Sequence, residues 1–232
     1  MQVLRQGSKG VQVQVLQGLL NKANIQDGVS GNALVTDGQF GPLTASALYA
    51  FQSRRRLNPD KVAGFQTWRE LGLQIEKEHN SIRLFAQYSS TSCWAAAAQM
   101  LLKSNLSCLN ISEAQLDEKG RLLNTVNNFR DFAEMVGCTA LNYSPSVQEL
   151  VSIVKRTPVW IAISYKAHFT HCVVLSAVYS DMDEKGDGTI FRLHDPAPLG
   201  SGSIYGSAAN PITLSYDFGG YEVRLLQVIV PR

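Results

Sequence analysis

Four residues have the types and spacing to do chemistry together, and the first of them is a cysteine. Cys93 stands in "AQYSSTSCWAAAAQMLL" (residues 86–102), between the small hydroxyl residues "STS" and an alanine-rich apolar segment. The hydroxyl residues are good N-caps and the alanines have high helix propensity, so a helix is predicted to begin there. The free N–H groups and positive end of such a helix would lower the thiol pKa and favour the nucleophilic thiolate. The alternative is a buried structural cysteine with Trp94 in the core.

The other three candidates are a glutamine, a histidine and an aspartate. Gln87 lies six residues before the cysteine, where its amide could hydrogen-bond an oxyanion formed over the sulfur. His171 begins the apolar run "HCVVLSAVYS", and "TIFRLHDP" follows after the turn "DMDEKGDG". A hairpin centred near residues 184–185 would return Asp195 to within a few residues of His171, where a carboxylate can orient the imidazole. The pattern predicts a nucleophile, base and orienting group in the order Cys, His, Asp.

Other roles for these residues were weighed. His168 competes with His171 as the base, but the apolar strand begins at His171; His194 would point to the opposite face of a regular strand. A metal site from His168, His171 and Cys172 lacks a second ligand pair at zinc-like spacing. "DMDEKGDG" lacks the acidic twelfth ligand of a calcium-binding EF-hand loop. We therefore expect no metal and no other cofactor.

The first 73 residues have the pattern of a small helical domain. Apolar residues recur at helical spacing in "LRQGSKGVQVQVLQGLL", and two more helices are predicted in "ASALYAFQSRRR" and "GFQTWRELGL", capped by Thr44 and Thr67. The polar segment 74–82, "QIEKEHNSI", is predicted to link this domain (residues 1–73) to a second one (residues 83–232).

The second domain changes from helices to strands along the chain. Helices are predicted in "ISEAQLDEKG", in "VNNFRDFAEMVG" and in "SPSVQELVSIVKR", the last opened by Ser144 or Ser146. Strands are predicted in "PVWIAISY", "HCVVLSAVYS", "TIFRLHD" and "YEVRLLQVIV". This order indicates an α+β fold. The segment 197–212, "APLGSGSIYGSAANPI", is interpreted as either a wall of the cleft or a plain connector.

Composition excludes several classes of function. The chain has 232 residues, a formal net charge of +2 and 45% hydrophobic residues, as expected of one large or two smaller globular domains. No stretch reaches the ~20 apolar residues of a membrane helix, so no membrane insertion is expected. The "RRR" at 54–56 has no interleaved aromatic residues, and we expect no nucleic-acid partner. The four cysteines contain no CxxC and form no disulfide scaffold.

The N-terminal domain resembles the peptidoglycan-binding domain of cell-wall hydrolases. The matching pieces are "LRQGSKGVQVQVLQGLL", "DGQFGPLTASALYAFQ" and "TWRELGL", which cover residues 2–73 in order. The resemblance implies binding to the bacterial wall. Asp37, Phe40 and Thr44 are the candidate wall contacts, and the alternative is that the residues of this turn simply fix the fold.

The second domain resembles the papain-like cysteine peptidases, in particular compact bacterial effector and bacteriocin-processing members. The matching pieces are "Q-x5-C-W-A", "HCVVL" and "HDP". The resemblance implies Gln87 in the oxyanion hole, Cys93 as nucleophile, His171 as base and Asp195 as orienting group, with Trp94 as a candidate substrate contact. Papain itself has an asparagine as the third member, whereas compact relatives use aspartate.

Together these features predict a cysteine-dependent hydrolase of amide bonds, directed to peptidoglycan stem peptides by its wall-binding domain. The alternatives are a protease of proteins anchored by that domain, a cysteine acyltransferase, and a wall-binding protein without activity. The expected partners are peptidoglycan or a peptide or protein substrate, and an immunity or inhibitor protein. The N-terminus shows no signal peptide, so we expect synthesis in the cytoplasm and, for an effector or lysin acting at the wall or periplasm, a non-classical route of export.

Overall fold

The N-terminal domain folds as three helices, as the sequence predicted, but the predicted caps are wrong: Gly41 and Gly64, not Thr44 and Thr67, are the N-caps of the second and third helices. They are α1 (Val11–Gln26), α2 (Pro42–Arg54) and α3 (Phe65–Glu70). The computed structural model describes residues 1–75, 77–102, 116–165, 169–183, 186, 188–209, 214–215 and 222–232. The apolar faces of the three helices share one core, whose largest members include Leu16, Leu20, Leu48, Phe51 and Trp68.

The second domain is an α+β fold built on one antiparallel sheet. Its helices are α4 (Cys93–Leu102), α5 (Val126–Met135) and α6 (Val147–Arg156). Its strands are β1 (Gln74–Ile75), β2 (Cys138–Ala140), β3 (Val159–Tyr165), β4 (Phe169–Ser180), β5 (Thr189–Asp195), β6 (Ser203–Ala209), β7 (Leu214–Ser215) and β8 (Glu222–Pro231). The strands are ordered β1-β4-β3-β8-β7-β6-β5, β2 pairs with β8, and an additional pairing of β4 with β5 closes the sheet on itself.

Two hydrophobic cores hold the helices against this sheet. Helices α4 and α5 pack with Trp160, Ala162 and Val174 of the strands. Helix α6 packs with a separate set that includes Ile161 and Val173. Because these positions alternate along β3 and β4, the two helical layers lie on opposite faces of the sheet.

Three segments differ from the sequence-based expectation. Residues 117–120 form a turn rather than a helix, since Leu116 pairs with Leu122 and the Asp117 carboxylate accepts hydrogen bonds from the turn's own N–H groups. The rest of that predicted helix lies outside the described residues. Ser203–Ala209, in the segment interpreted as a cleft wall or connector, is strand β6. Gln74–Ile75, predicted as linker, pairs with β4.

The two domains are packed together and share a core. Ala177, Tyr179 and Ile190 of the sheet belong to the same buried cluster as the three N-terminal helices. The acidic turn after β4 adds polar contacts, because Lys22 Nζ lies 2.8 Å from an Asp181 carboxylate oxygen and 3.1 Å from one of Asp183. The N-terminal domain is therefore packed firmly against the sheet instead of being joined to it by a free linker. No helix in the described part of the chain is long and apolar enough to cross a membrane.

Candidate active site

Cys93 is the first residue of α4, and the loop before it is tightly hydrogen-bonded. The hydroxyl oxygen of Ser92 accepts from the N–H groups of Tyr88 (3.1 Å) and Ser89 (3.0 Å), while the Ser92 carbonyl accepts from Ala96 N–H (3.1 Å). Ser92 thus ends the loop and begins the helix. The thiol lies where the helix dipole favours its anion.

His171 and Asp195 meet across the open end of the β4–β5 hairpin. The pairing of these strands runs from Ser180↔Thr189 to Val174↔His194, with a bulge between Leu175 and Ala177. Just beyond the last paired residues, Val174 and His194, the Nε2 atom of His171 lies 2.6 Å from Oδ1 of Asp195, and this contact is buried. The same carboxylate oxygen accepts a 2.7 Å hydrogen bond from Ala197 N–H. Since Nε2 is committed to the aspartate, Nδ1 is the nitrogen left to face the nucleophile.

The electrostatics favour a thiolate–imidazolium pair. The pKa of Cys93 lies well below its ordinary value because the Cys172 thiol donates a hydrogen bond to it; burial opposes this shift, and the hydrogen bond and charge of His171 reinforce it. Burial alone would lower the pKa of His171, but hydrogen bonds and charge from Asp195 and Cys93 outweigh it and raise the pKa to about 10. Both shifts favour the charged pair, thiolate and imidazolium, over the neutral pair.

Cys172 is a contributor to the site that sequence reasoning missed. Burial and the neighbouring Cys93 thiolate raise the pKa of Cys172 well above its ordinary value, so Cys172 stays a neutral thiol and can donate. The backbone N–H of Cys172 is a further, smaller cause of the lowered pKa of Cys93. Strand alternation predicts that Cys172 points away from its neighbour His171, so this role could not be predicted from the sequence. Cys172 can contact Cys93 because β5 pairs with β4 only from Val174 onward. The edge of β4 at Cys172 is therefore not covered by β5 and is open to α4.

Gln87 is buried in the loop that leads to α4. Its backbone N–H donates to Pro196 O (2.9 Å), and Gly200 N–H donates to its carbonyl (3.3 Å). The glutamine is therefore tied to the segment that follows Asp195. Within the described residues its side-chain amide makes no hydrogen bond, and Oε1 is buried without a partner. The Nε2 hydrogens are free for an oxyanion.

A cleft opens directly beside the nucleophile. It has a volume of about 140 Å³ and is lined by Ser90, Thr91, Cys93, Trp94, Asp117, Arg121, Leu122, Leu123, Asn124, Thr170 and Cys172. Trp94 is almost fully buried, with its ring edge-on to Phe132 at 5.8 Å between centroids. Its indole Nε1–H donates to Gly120 O at 3.3 Å. Trp94 therefore belongs to the core and also forms part of the cleft wall.

The candidate wall contacts of the N-terminal domain are buried or hydrogen-bonded within that domain. Phe40 and Thr44 are buried. Gln17 Nε2 donates to Asp37 Oδ1 (2.8 Å) and to Thr44 Oγ1 (3.1 Å), which joins the turn to α1. Gln52 repeats the arrangement with another aspartate and threonine, so the motif is a structural unit used twice. These contacts give Asp37 and Thr44 a structural role in the turn, and contact of these residues with the wall stays a prediction.

Of the other candidates for metal or base chemistry, His194 does not join the site. His168 and Cys108 lie outside the described residues. In the part of the chain that is described, neither ring nitrogen of His194 has a hydrogen-bond partner. Burial, and then the charge of Arg192, lowers the pKa of His194 to about 4, so it is neutral. Cys93, Cys138 and Cys172 are free thiols. No group of three or more His, Cys, Asp or Glu side chains within the described ranges is arranged to hold a metal ion.

Each of the two domains matches a known protein family. Residues 9–71 match the family model of a peptidoglycan binding domain, and residues 76–205 match the model of the papain-like cysteine protease AvrRpt2. No curated protein matches the chain. A solved structure, described as the crystal structure of Burkholderia AP3 phage endolysin, matches with 22% identity and a TM-score of 0.26. The match covers 65% of this chain and 48% of that one, so the chain spans about half the length of the endolysin. Since the match to the AvrRpt2 family model covers more than half of the chain, the chain belongs to the AvrRpt2 family of papain-like cysteine proteases.

Proposed function

We propose that this cysteine peptidase cleaves amide bonds in the peptide stems of peptidoglycan. The observation that carries the proposal is that the wall-binding domain shares a hydrophobic core with β4 and β5, the two strands that carry His171 and Asp195 of the thiolate–imidazolium site. A domain that binds the wall and is fixed to the sheet keeps the cleft at a constant position over the polymer. Its stem peptides are then present at high effective concentration.

Each site residue has a role in the proposed reaction. The Cys93 thiolate attacks the amide carbonyl, and the developing oxyanion accepts hydrogen bonds from Gln87 Nε2 and the Cys93 backbone N–H. The imidazolium of His171 gives its Nδ1 proton to the leaving amine, which breaks the C–N bond and leaves a thioester. The neutral imidazole then takes a proton from water, and the resulting hydroxide releases the acid. Asp195 holds Nε2–H throughout and keeps the ring in place.

Mass spectrometry of purified peptidoglycan tests this proposal directly. Sacculi are incubated with the wild type and with Cys93→Ala, and the muropeptides are compared. We expect cut stems, with new amines and carboxylates in equal number, from the wild type alone. Intact muropeptides in both samples, from proteins that still sediment with sacculi, would refute the lytic function.

A protease of protein substrates is the second candidate, favoured by the match to a family described as a protease. In that case the N-terminal domain serves as an anchor. Digestion of casein by the wild type, with intact sacculi in the same reaction, would support it over stem cleavage. Incorporation of an added amine into the cut product would instead identify acyl transfer through the same thioester.

The site of action belongs to the same proposal. A stem-cleaving enzyme works at the wall or in the periplasm, as a secreted antibacterial effector or a lysin. An effector of this kind requires an immunity protein in the cell that makes it, and the cleft beside Cys93 is where such an inhibitor would bind. Fractionation of the producing culture, with detection of the protein outside the cytoplasm, is the measurement.

A further inference from the structure

An arginine lines the same cleft as the nucleophile and is held there by its own loop. Arg121 lies in the turn between Leu116 and Leu122, which pair with each other, and Leu122 is buried. Trp94, the residue after Cys93, donates its indole N–H to Gly120 O. The turn that carries the guanidinium is thus tied to the helix that carries the sulfur, and both groups line one space of about 140 Å³.

Asp117 fixes the direction of the guanidinium. Arg121 Nε lies 2.7 Å from Asp117 Oδ2, while Asp117 Oδ1 accepts from the N–H groups of Lys119 and Arg121, each at 2.9 Å. The carboxylate is therefore occupied on both oxygens. Among the described residues, the two terminal nitrogens of Arg121 have no hydrogen-bond partner, and the side chain is 39% exposed. What remains is a forked pair of donors on a side chain that lines the cleft.

We propose that Arg121 binds a carboxylate of the substrate beside the scissile amide, and so selects acidic stem peptides. This inference rests on the proposed function for the identity of the substrate. A planar guanidinium with two free nitrogens matches a carboxylate in bidentate geometry. The Asp117–Arg121 pair has no net charge, so the selection comes from the orientation of the fork rather than from a positive field.

Stem peptides offer such a carboxylate from two sources. A glutamate linked through its γ-carboxyl leaves its α-carboxylate free, and the last residue of the stem carries another. Both present the same chemistry to Arg121. Two pairs of synthetic stem peptides distinguish them: in one pair the glutamate α-carboxylate is free or amidated, and in the other the C-terminus is free or amidated.

The test measures binding and cleavage separately. The dissociation constant of each peptide is measured on Cys93→Ala, with and without Arg121→Gln or Arg121→Lys, and kcat/KM is measured with the cysteine intact. In at least one pair we expect the acid to bind about fivefold to tenfold more tightly, the size of a partly exposed charged contact. Arg121→Gln removes this preference by weakening the acid alone, and Arg121→Lys keeps part of it. Arg130→Gln is the matched control, since this exposed arginine of α5 does not line the cleft.

The outcomes separate this inference from the proposed function. If the wild type cleaves no stem peptide but the acid preference in binding depends on Arg121, the proposed function is wrong and the carboxylate site stands. If acid and amide bind equally, or neither binds, while Arg121 is intact, the carboxylate site is refuted whatever is cleaved. A preference that survives Arg121→Gln would also overturn it.

Discussion

Replacing Asp195 with alanine tests the central contact of the proposed site. The carboxylate is 1% exposed, and its Oδ1 lies 2.6 Å from His171 Nε2. Removing it leaves a buried imidazolium N–H without an acceptor. A hydrogen bond to a charged group contributes about 1.5–3 kcal/mol. If that free energy is lost from the transition state, in which the imidazolium must be aligned, kcat/KM falls by about 10- to 150-fold.

The pH profile gives the same variant a second readout. Hydrogen bonding and charge from Asp195 help to raise the pKa of His171 to about 10, so wild-type activity should fall only as pH rises through about 10. In Asp195→Ala the alkaline limb should move to lower pH. Burial lowers the pKa of His171, and the variant lacks the carboxylate that counteracts this effect. The raised pKa also stabilises the fold below the unfolded value of about 6.5, and this contribution is lost as pH rises through the folded value. Asp195→Ala should therefore lower the melting temperature more at pH 6 than at pH 10.

Two further variants control the measurement, made on sacculi or casein, whichever the wild type cleaves. Asp195→Asn keeps an oxygen to accept from His171 and from Ala197 N–H, and should stay within about tenfold of the wild type because a neutral hydrogen bond is about half as strong. Asp181→Asn removes a carboxylate at the other end of the hairpin, paired with Lys22, and should leave the pH profile unchanged. An Asp195→Ala protein that is folded, with wild-type kcat/KM and an unmoved alkaline limb, would refute the orienting role.

Three shorter predictions concern the neighbours of the nucleophile. Cys172→Ala removes a donor to the Cys93 thiolate, so the pH midpoint for alkylation by iodoacetamide should rise; Cys172→Ser, which keeps a donor, and Cys138→Ala, which removes another buried thiol, should leave it low. Gln87→Ala should lower kcat by about 10²- to 10³-fold with little change in KM, since the amide acts on the oxyanion. An unchanged kcat with a raised KM would contradict this role. Gly202 has φ +62, and an added Cβ would lie 2.9 Å from the backbone oxygen of the orienting aspartate. Gly202→Ala should therefore lower both activity and the melting temperature, and a variant with wild-type values would show that the loop adjusts.

Local sequence signals predicted much of the fold. Ser146 caps α6 in a capping box with Glu149, as an N-cap serine before an amphipathic segment indicates. The apolar runs of β3, β4, β5 and β8 were all predicted as strands. The segment 117–120 was predicted wrongly as helix. Its residues favour a helix, but the Asp117 carboxylate accepts hydrogen bonds from the N–H groups of Lys119 and Arg121 and stabilises a turn instead.

Only those contacts of the site that follow from spacing along the chain could be predicted from the sequence. The hairpin register brings Asp195 to His171, and a turn position in the sequence was sufficient to anticipate that meeting. The contact of Cys172 with Cys93 depends instead on where β5 stops pairing with β4, which is a property of the whole sheet. The same holds for Arg121, whose place in the cleft follows from a hydrogen bond between Trp94 and the turn.

The alanines after the nucleophile show how packing, rather than helix propensity, positions the site. Ala95–Ala98 are all buried, against the sheet on which His171 stands. Small side chains let a helix approach a sheet closely, and the Trp160 indole then reaches the Trp94 carbonyl at 3.1 Å. A larger residue in this run would force the helix outward and move its first residue from the edge of β4. Since a shift of 1 Å can cost about 10²-fold in rate, we expect a larger residue in this run to lower activity even though Ala95–Ala98 do not line the cleft.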